Sequence, residues 1–245
     1  MKNKIPKRHY SAWIAATALL LGQTAVTAAP FAAGPALAPP GNGLNAYWVR
    51  SEFIAGNVQS ALDILASQPG DGAFIESVSA IAPYVDYRDF EGGTEGLVDS
   101  PDLPDPFDQI DNGVPVTDTP FAVRFDGFLN VTETGSYNFR VHSDDGFRLT
   151  LGGEVIGIFD GNRSPDSSFS GPLDLESGLY AIELIGWEQS GQYVNELSWL
   201  TPGAADFTLV GTNDLFSAVP VPAALPLLAS ALGGLGWFRR RRRAA

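Results

Sequence analysis

The stretch "FAVRFDGFLNVTETGSYNFRVHSDDGFRLTLGG", residues 121–153, decides the fold. Its apolar residues fall on alternate positions: Phe121, Val123 and Phe125, then Tyr137, Phe139 and Val141, then Phe147, Leu149 and Leu151. Successive strand side chains point to opposite faces, so each run predicts a β-strand with one buried face. Glu133-Thr134-Gly135-Ser136 and Gly152-Gly153 separate the runs with residues that favour turns. Downstream, "GLYAIELIGW" (178–187) repeats the alternation with Tyr180, Ile182 and Leu184, after the turn signal Glu176-Ser177-Gly178. "NELSWL" (195–200) closes it with Leu197 and Trp199. Upstream lies one short helical pattern, with Asn57 as N-cap and Val58, Leu62 and Leu65 on one face. Short alternating strands joined by Gly-rich turns predict an all-β fold, an antiparallel sandwich or barrel, with this helix near its N-terminus.

Both ends of the chain stand apart from that pattern. Residues 1–29 run from Lys2, Lys4, Lys7 and Arg8 through an apolar core, Trp13 to Leu21, to small residues around Ala28, the order of a secretory signal peptide. Its apolar core is too short for a spanning helix of about 20 residues. Residues 219–245 read "VPVPAALPLLASALGGLGWFRRRRRAA": an apolar stretch near the minimum spanning length, then arginines 239–243, which favour the cytoplasmic side. Residues 30–43 and 203–218 read as linkers, leaving 44–202 as one domain.

Charge changes meaning once the ends are set aside. The body keeps six arginines against 28 acidic residues, a net charge of −22. Such a surface repels nucleic acid and anionic lipid and attracts cations. With no cysteine in the chain, a disulfide framework is excluded.

Within the central stretch, "HSDDGF" (142–147) places Asp144 beside Asp145 at a strand end. Adjacent side chains of a regular strand diverge, so two neighbouring carboxylates converge on one cation only where the backbone departs from strand geometry. The same Ser-Asp-Asp-Gly is also a good turn, because Asp bonds nearby backbone and Gly accepts positive φ. Other candidates are weaker. Asp102, Asp105, Asp108 and Asp111 recur at three-residue intervals, not the alternate oxygens of an EF-hand loop, and read as a solvated acidic loop. His142, Ser143 and Asp144 diverge along a strand and make a poor nucleophilic triad. One histidine in the body and no cysteine exclude a zinc cluster. No spacing selects a facing pair of carboxylates for glycoside hydrolysis, so the body reads as a non-enzyme.

Two resemblances extend this reading. Arg124 to Gly127, Gly135-x-Tyr137-x-Phe139, Ser143-Asp144-Asp145-Gly146, Leu175 to Tyr180 and Leu197-Ser198-Trp199, in that order, resemble the protective-antigen-type domain, the PA-fourteen family. Its β-sandwiches occur in toxins, glycosidases, secreted bacterial proteins and fungal adhesins. The resemblance implies that Asp144 and Asp145, joined by a cis peptide as in sugar-binding members, turn both carboxylates onto a calcium ion that also binds glycan hydroxyls. Further contacts are expected from the loop 187–195. Glu188 and Asn195 are its candidate ligands, Gln189 a sugar contact, and Trp187 or Tyr193 a ring platform; for Trp187 a half-buried strand-end position is the competing reading. The family's sugar-binding adhesins present an asparagine where this loop has Glu188 and Gln189. The C-terminal Val-Pro-x-Pro-Ala box, apolar helix and arginine cluster are similar to VPLPA-CTERM sorting signals, with Val221 where the box usually has Leu. That likeness implies an exosortase-type membrane protease as partner and delivery to the cell surface or extracellular matrix; a plain tail anchor is the alternative. Function is left between two readings: a calcium-dependent, lectin-like module holding exopolysaccharide or glycan, and a structural surface protein in which calcium at most stabilises the fold.

Overall fold

The computed structural model describes residues 34, 41–88, 103–104, 106–107, 110–111, 114–115, 120–191 and 193–217. In chain order the elements are β1 (Leu44–Ser51), α1 (Val58–Ala66), β2 (Phe74–Ala82), β3 (Asp86–Arg88), β4 (Leu103–Pro104), β5 (Ile110–Asp111) and β6 (Val114–Pro115). They continue with β7 (Phe121–Val131), β8 (Gly135–Asp144), β9 (Phe147–Leu151), β10 (Glu154–Phe159) and β11 (Asp166–Leu175). The last are β12 (Gly178–Glu188), β13 (Val194–Leu200), β14 (Thr208–Leu209) and β15 (Leu215–Ser217).

Two sheets form a sandwich. One runs β10-β9-β12-β7-β1-β2, with β15 also paired to β7; the other runs β11-β8-β13-β3-β4, with β14 on β13. β5 and β6 make a separate two-stranded ribbon. Neighbours are antiparallel except β3 and β4. Every alternating residue named in the sequence lies in the shared core, from Phe121, Val123 and Phe125 to Leu197 and Trp199. The strands thus bury the faces that their period dictates.

Turn chemistry fixes the register. Gly152 and Gly153, at φ 61° and 91°, make the β9–β10 turn in the left-handed region where only glycine is unstrained. Tyr137 Oη donates to Glu133 O at 2.7 Å and Tyr180 Oη to Glu176 O at 3.0 Å, so each buried ring spends its hydroxyl on the preceding turn. Pro172, which has no N–H, sits on edge strand β11 where pairing with β8 shifts register.

α1 forms as expected behind Asn57, whose side chain accepts from Ser60 N while the Ser60 side chain serves the N-cap backbone. Val58, Ala61, Ile64 and Leu65 are its buried face, with Leu62 only partly covered. That face packs against Val49, Ala122, Ile185 and Trp187 on the outer surface of the larger sheet.

The expected linker 203–218 differs. It carries β14 and β15, and Val210 and Leu215 are fully buried in the core, so the folded unit runs past residue 202. The signal peptide 1–29 and the sorting signal 219–245 lie outside the described residues, as does most of the acidic loop, including Asp102, Asp105 and Asp108. Among the described residues no helix is long and apolar enough to cross a membrane.

Candidate functional site

Strand ends bring the site together. β8 ends at Asp144 and β12 at Glu188, while Asp145 opens the short β8–β9 connection. The Asp144–Asp145 peptide is cis. One carboxylate oxygen from each of Asp144, Asp145 and Glu188 lies within 4.8 Å of the other two, with Asp145 and Glu188 buried and Asp144 half-buried.

Asp145 is held on both sides. Its Oδ1 accepts from the backbone N–H of Arg163 at 3.0 Å, in the β10–β11 loop, and its Oδ2 from that of Gln189 at 2.7 Å, in the β12–β13 loop. Its own N–H donates to Trp187 O at 3.0 Å. Burial raises the Asp145 carboxyl pKa above its usual value, and the two backbone donors, Gln189 then Arg163, pull it back down. Glu188 Oε1 accepts from Ser190 N at 2.7 Å, which fixes the third carboxylate to its own loop. Gly146 permits this crossing: a Cβ there would run into the Trp187 ring and Gly161 O.

The loop 160–165 completes the wall. Asn162 is exposed; its Oδ1 accepts from Trp187 Nε1 at 2.9 Å, and its amide bonds Gln189 Oε1. Asp160 Oδ1 accepts from Val58 N at 2.7 Å, tying the start of α1 to this end of the sandwich. Arg163 stacks on Phe159 at 4.3 Å, and its guanidinium donates to Ser143 O, Ser143 Oγ, Ser168 Oγ and Asp166 O at 2.9 to 3.3 Å. Neither Asn162 nor Arg163 was singled out from sequence, since both reach the cluster through loop contacts that no local motif encodes.

The ring-platform reading of Trp187 and Tyr193 requires correction; Trp187 is a strand-end residue, as its competing reading has it, but fully rather than half buried. Trp187, 0% exposed, lies under α1, and Tyr193, 1% exposed, packs edge-on against Phe121 and Trp48 in the core. Neither offers a ring face to a ligand. Gln189 is half-buried beside the cluster. Asn195 is fully buried on β13 opposite Ser143; its amide faces Gly186, and among the described residues neither Oδ1 nor Nδ2 has a hydrogen-bond partner. His142 Nδ1 faces Ser167 Oγ at 3.1 Å, while Ser143 Oγ donates to Asp145 O, so these neighbours serve different partners.

The donor set suits a hard cation. Three carboxylates this close repel one another, and an all-oxygen cluster at loop ends matches what calcium takes, about six to eight oxygens in irregular geometry.

Comparison with known proteins agrees with this architecture. No curated protein matches the chain. Among solved structures, the PA14 domain of the antifreeze protein MpAFP is 22% identical, with a TM-score of 0.55 over 75% of this chain and 96% of that one. The PA14 sugar-binding domain from an RTX adhesin is 20% identical, with a TM-score of 0.51 over 72% and 99%. The A domain of epithelial adhesin 6 from Candida glabrata, in complex with Galβ1-3GlcNAc, is 15% identical, with a TM-score of 0.50 over 79% and 96%. The PA14 domain family itself matches residues 82–204, β3 to β13 with the Asp pair and both flanking loops included, and the chain belongs to that family.

Proposed function

We propose that this chain is an exported surface or matrix protein whose PA14 domain binds carbohydrate through a calcium ion at one end of the sandwich. The observation that carries the reading is the convergence of Asp144, Asp145 and Glu188 within 4.8 Å at the ends of β8 and β12. These three residues would hold the ion, and the buried amide of Asn195, unpartnered among the described residues, is the further candidate oxygen. When bound, calcium supplies open coordination positions that take vicinal hydroxyls of a sugar. Arg163 N–H and Gln189 N–H orient Asp145 from opposite loops. The carboxamides of Asn162 and Gln189, at the rim, supply hydrogen bonds to the glycan.

Support for carbohydrate as the ligand comes from the sugar-binding RTX adhesin domain and the glycan-bound Candida adhesin, which share the fold. The domain binds rather than catalyses. Its −22 body, the 1–29 leader and the 219–245 tail fit a protein secreted, held in the membrane by its tail, and processed by an exosortase-type protease for the cell surface or matrix. Domain limits follow as leader 1–29, linker 30–43, PA14 sandwich from 44, and tail 219–245.

A second reading is favoured by the burial of Asp145 and Glu188: calcium locks the loops, and no sugar binds. A glycan array run with calcium and then with chelator separates the two. Glycan signal that vanishes with chelator, and in Asp144→Asn/Asp145→Asn, supports the lectin reading. Calcium uptake by calorimetry with a blank array leaves the structural one.

A further inference from the structure

Arg163 makes more contacts with the strand end that carries the Asp pair than any motif in its loop would suggest. Its backbone N–H holds Asp145 Oδ1 at 3.0 Å. From the same residue the guanidinium spans the paired ends of β8 and β11: Nε donates to Ser143 O at 3.3 Å, Nη2 to Ser143 Oγ and to Asp166 O, each at 2.9 Å, and Nη1 to Ser168 Oγ at 3.1 Å. Asp166 and Ser143 are direct partners across the β8–β11 ladder, so one planar cation ties both strands at the end of β8, where Asp144 closes the strand and Asp145 opens the connection to β9. The ring of Phe159 lies 4.3 Å from the guanidinium carbon and fixes its plane. Ser143 Oγ in turn donates to Asp145 O, which continues the chain of contacts into the acidic pair.

We infer that Arg163 is the positioning residue of the acidic cluster, holding Ser143, Asp144 and Asp145 in their cation-binding arrangement before any ion arrives. This rests on the calcium reading proposed above. Two effects of the side chain oppose each other. As a positive charge in the electrostatic field of Asp144, Arg163 competes with an incoming cation, so Coulomb's law alone makes its removal tighten calcium binding. As a fork holding the strand end, it spares the ion the ordering of its ligands, so its removal weakens binding; outer partners of metal ligands are worth about 10–100-fold in affinity. The number of bonds converging on Ser143 decides for positioning.

Calcium itself is the probe. Titration calorimetry on the wild-type protein, Arg163→Met and Arg163→Lys would be paired with thermal melts in chelator. Met keeps an apolar stem on Phe159 and leaves the backbone N–H on Asp145, while Lys keeps the charge without the fork. The expected result is a calcium Kd raised at least about tenfold in Arg163→Met, with Arg163→Lys raised by a smaller factor. An unchanged Kd with a lowered melting temperature makes Arg163 a structural residue only and overturns the proposal. A tightened Kd also overturns it, in favour of charge competition. If Arg163→Met does not fold, Arg163→Lys decides, because an unaltered Kd there sinks the fork argument. No calcium uptake by the wild type overturns the calcium reading itself, an outcome distinct from uptake that the variants leave unaltered.

Discussion

Gln189 N–H donates to Asp145 Oδ2 at 2.7 Å, joining two loops 44 residues apart in the chain. With Arg163 N–H on Oδ1, Asp145 links both walls of the site through one carboxylate. Asp145 therefore has a structural duty of its own.

Asp145→Asn turns one acceptor oxygen into a donor that faces a backbone N–H. A buried donor left without an acceptor costs about 1–3 kcal/mol. In chelator, Asp145→Asn is expected to lower the unfolding free energy by about that amount. Urea titrations of the variant and the wild type check this; an unchanged or raised unfolding free energy contradicts the two-sided hold on the Asp145 carboxylate.

Gly146→Ala tests the crossing of the loops. The added Cβ meets the Trp187 ring and Gly161 O, and the neighbours there are an indole under α1 and a backbone carbonyl, neither of which yields cheaply. Overpacking of this kind costs about 1–3 kcal/mol. The variant is expected to melt lower and to show altered tryptophan fluorescence; a wild-type melt contradicts the contact.

Much of this architecture is legible in the sequence, and the failures share a cause. Phe139, Leu149 and Ile182 could be placed inward because alternation is a local property of a strand. The ring-platform reading of Trp187 fails for the same reason. It is out of phase with the inward set Tyr180, Ile182 and Leu184, so alternation alone puts it on the wet face, and only the docking of α1, more than 120 positions earlier, buries it. Asn57 announced that helix but not where it would land. β14 and β15 escaped notice because two- and three-residue strands carry too little pattern; Leu215 reads as core only once its pairing with Leu129 is known. Asp144 and Asp145 stood out as adjacent charges, whereas Arg163 and Asn162 became part of the site through tertiary contacts alone.

Asp214 gives a pH dependence independent of the cation site. Burial raises its carboxyl pKa above 3.8. The folded state then holds the proton more tightly than the unfolded one, so this group's stabilising contribution is fully present below pH 3.8 and is lost as pH rises through the folded-state value. Asp214→Asn is expected to be more stable than wild type at pH 7, with the gain shrinking toward pH 3. Melts across that range, in chelator throughout, check the sign; a gain that grows toward acid refutes it.

Asn195 sets stability against function. Among the described residues its fully buried amide has no hydrogen-bond partner for either polar atom, and such groups cost about 1–3 kcal/mol. Asn195→Leu replaces it with an apolar side chain of similar branching on the same interior face as Leu197. In chelator the variant is expected to melt higher than wild type. If the amide oxygen is a calcium ligand, the same substitution raises the calcium Kd about tenfold or more, because it deletes a donor from a set of six to eight. A higher melt together with a weaker Kd is the expected pair of results and explains why an unsatisfied polar group occupies the core at this position. A higher melt with an unchanged Kd removes Asn195 from the ligand set and leaves Asp144, Asp145 and Glu188 as the side chains that hold the ion.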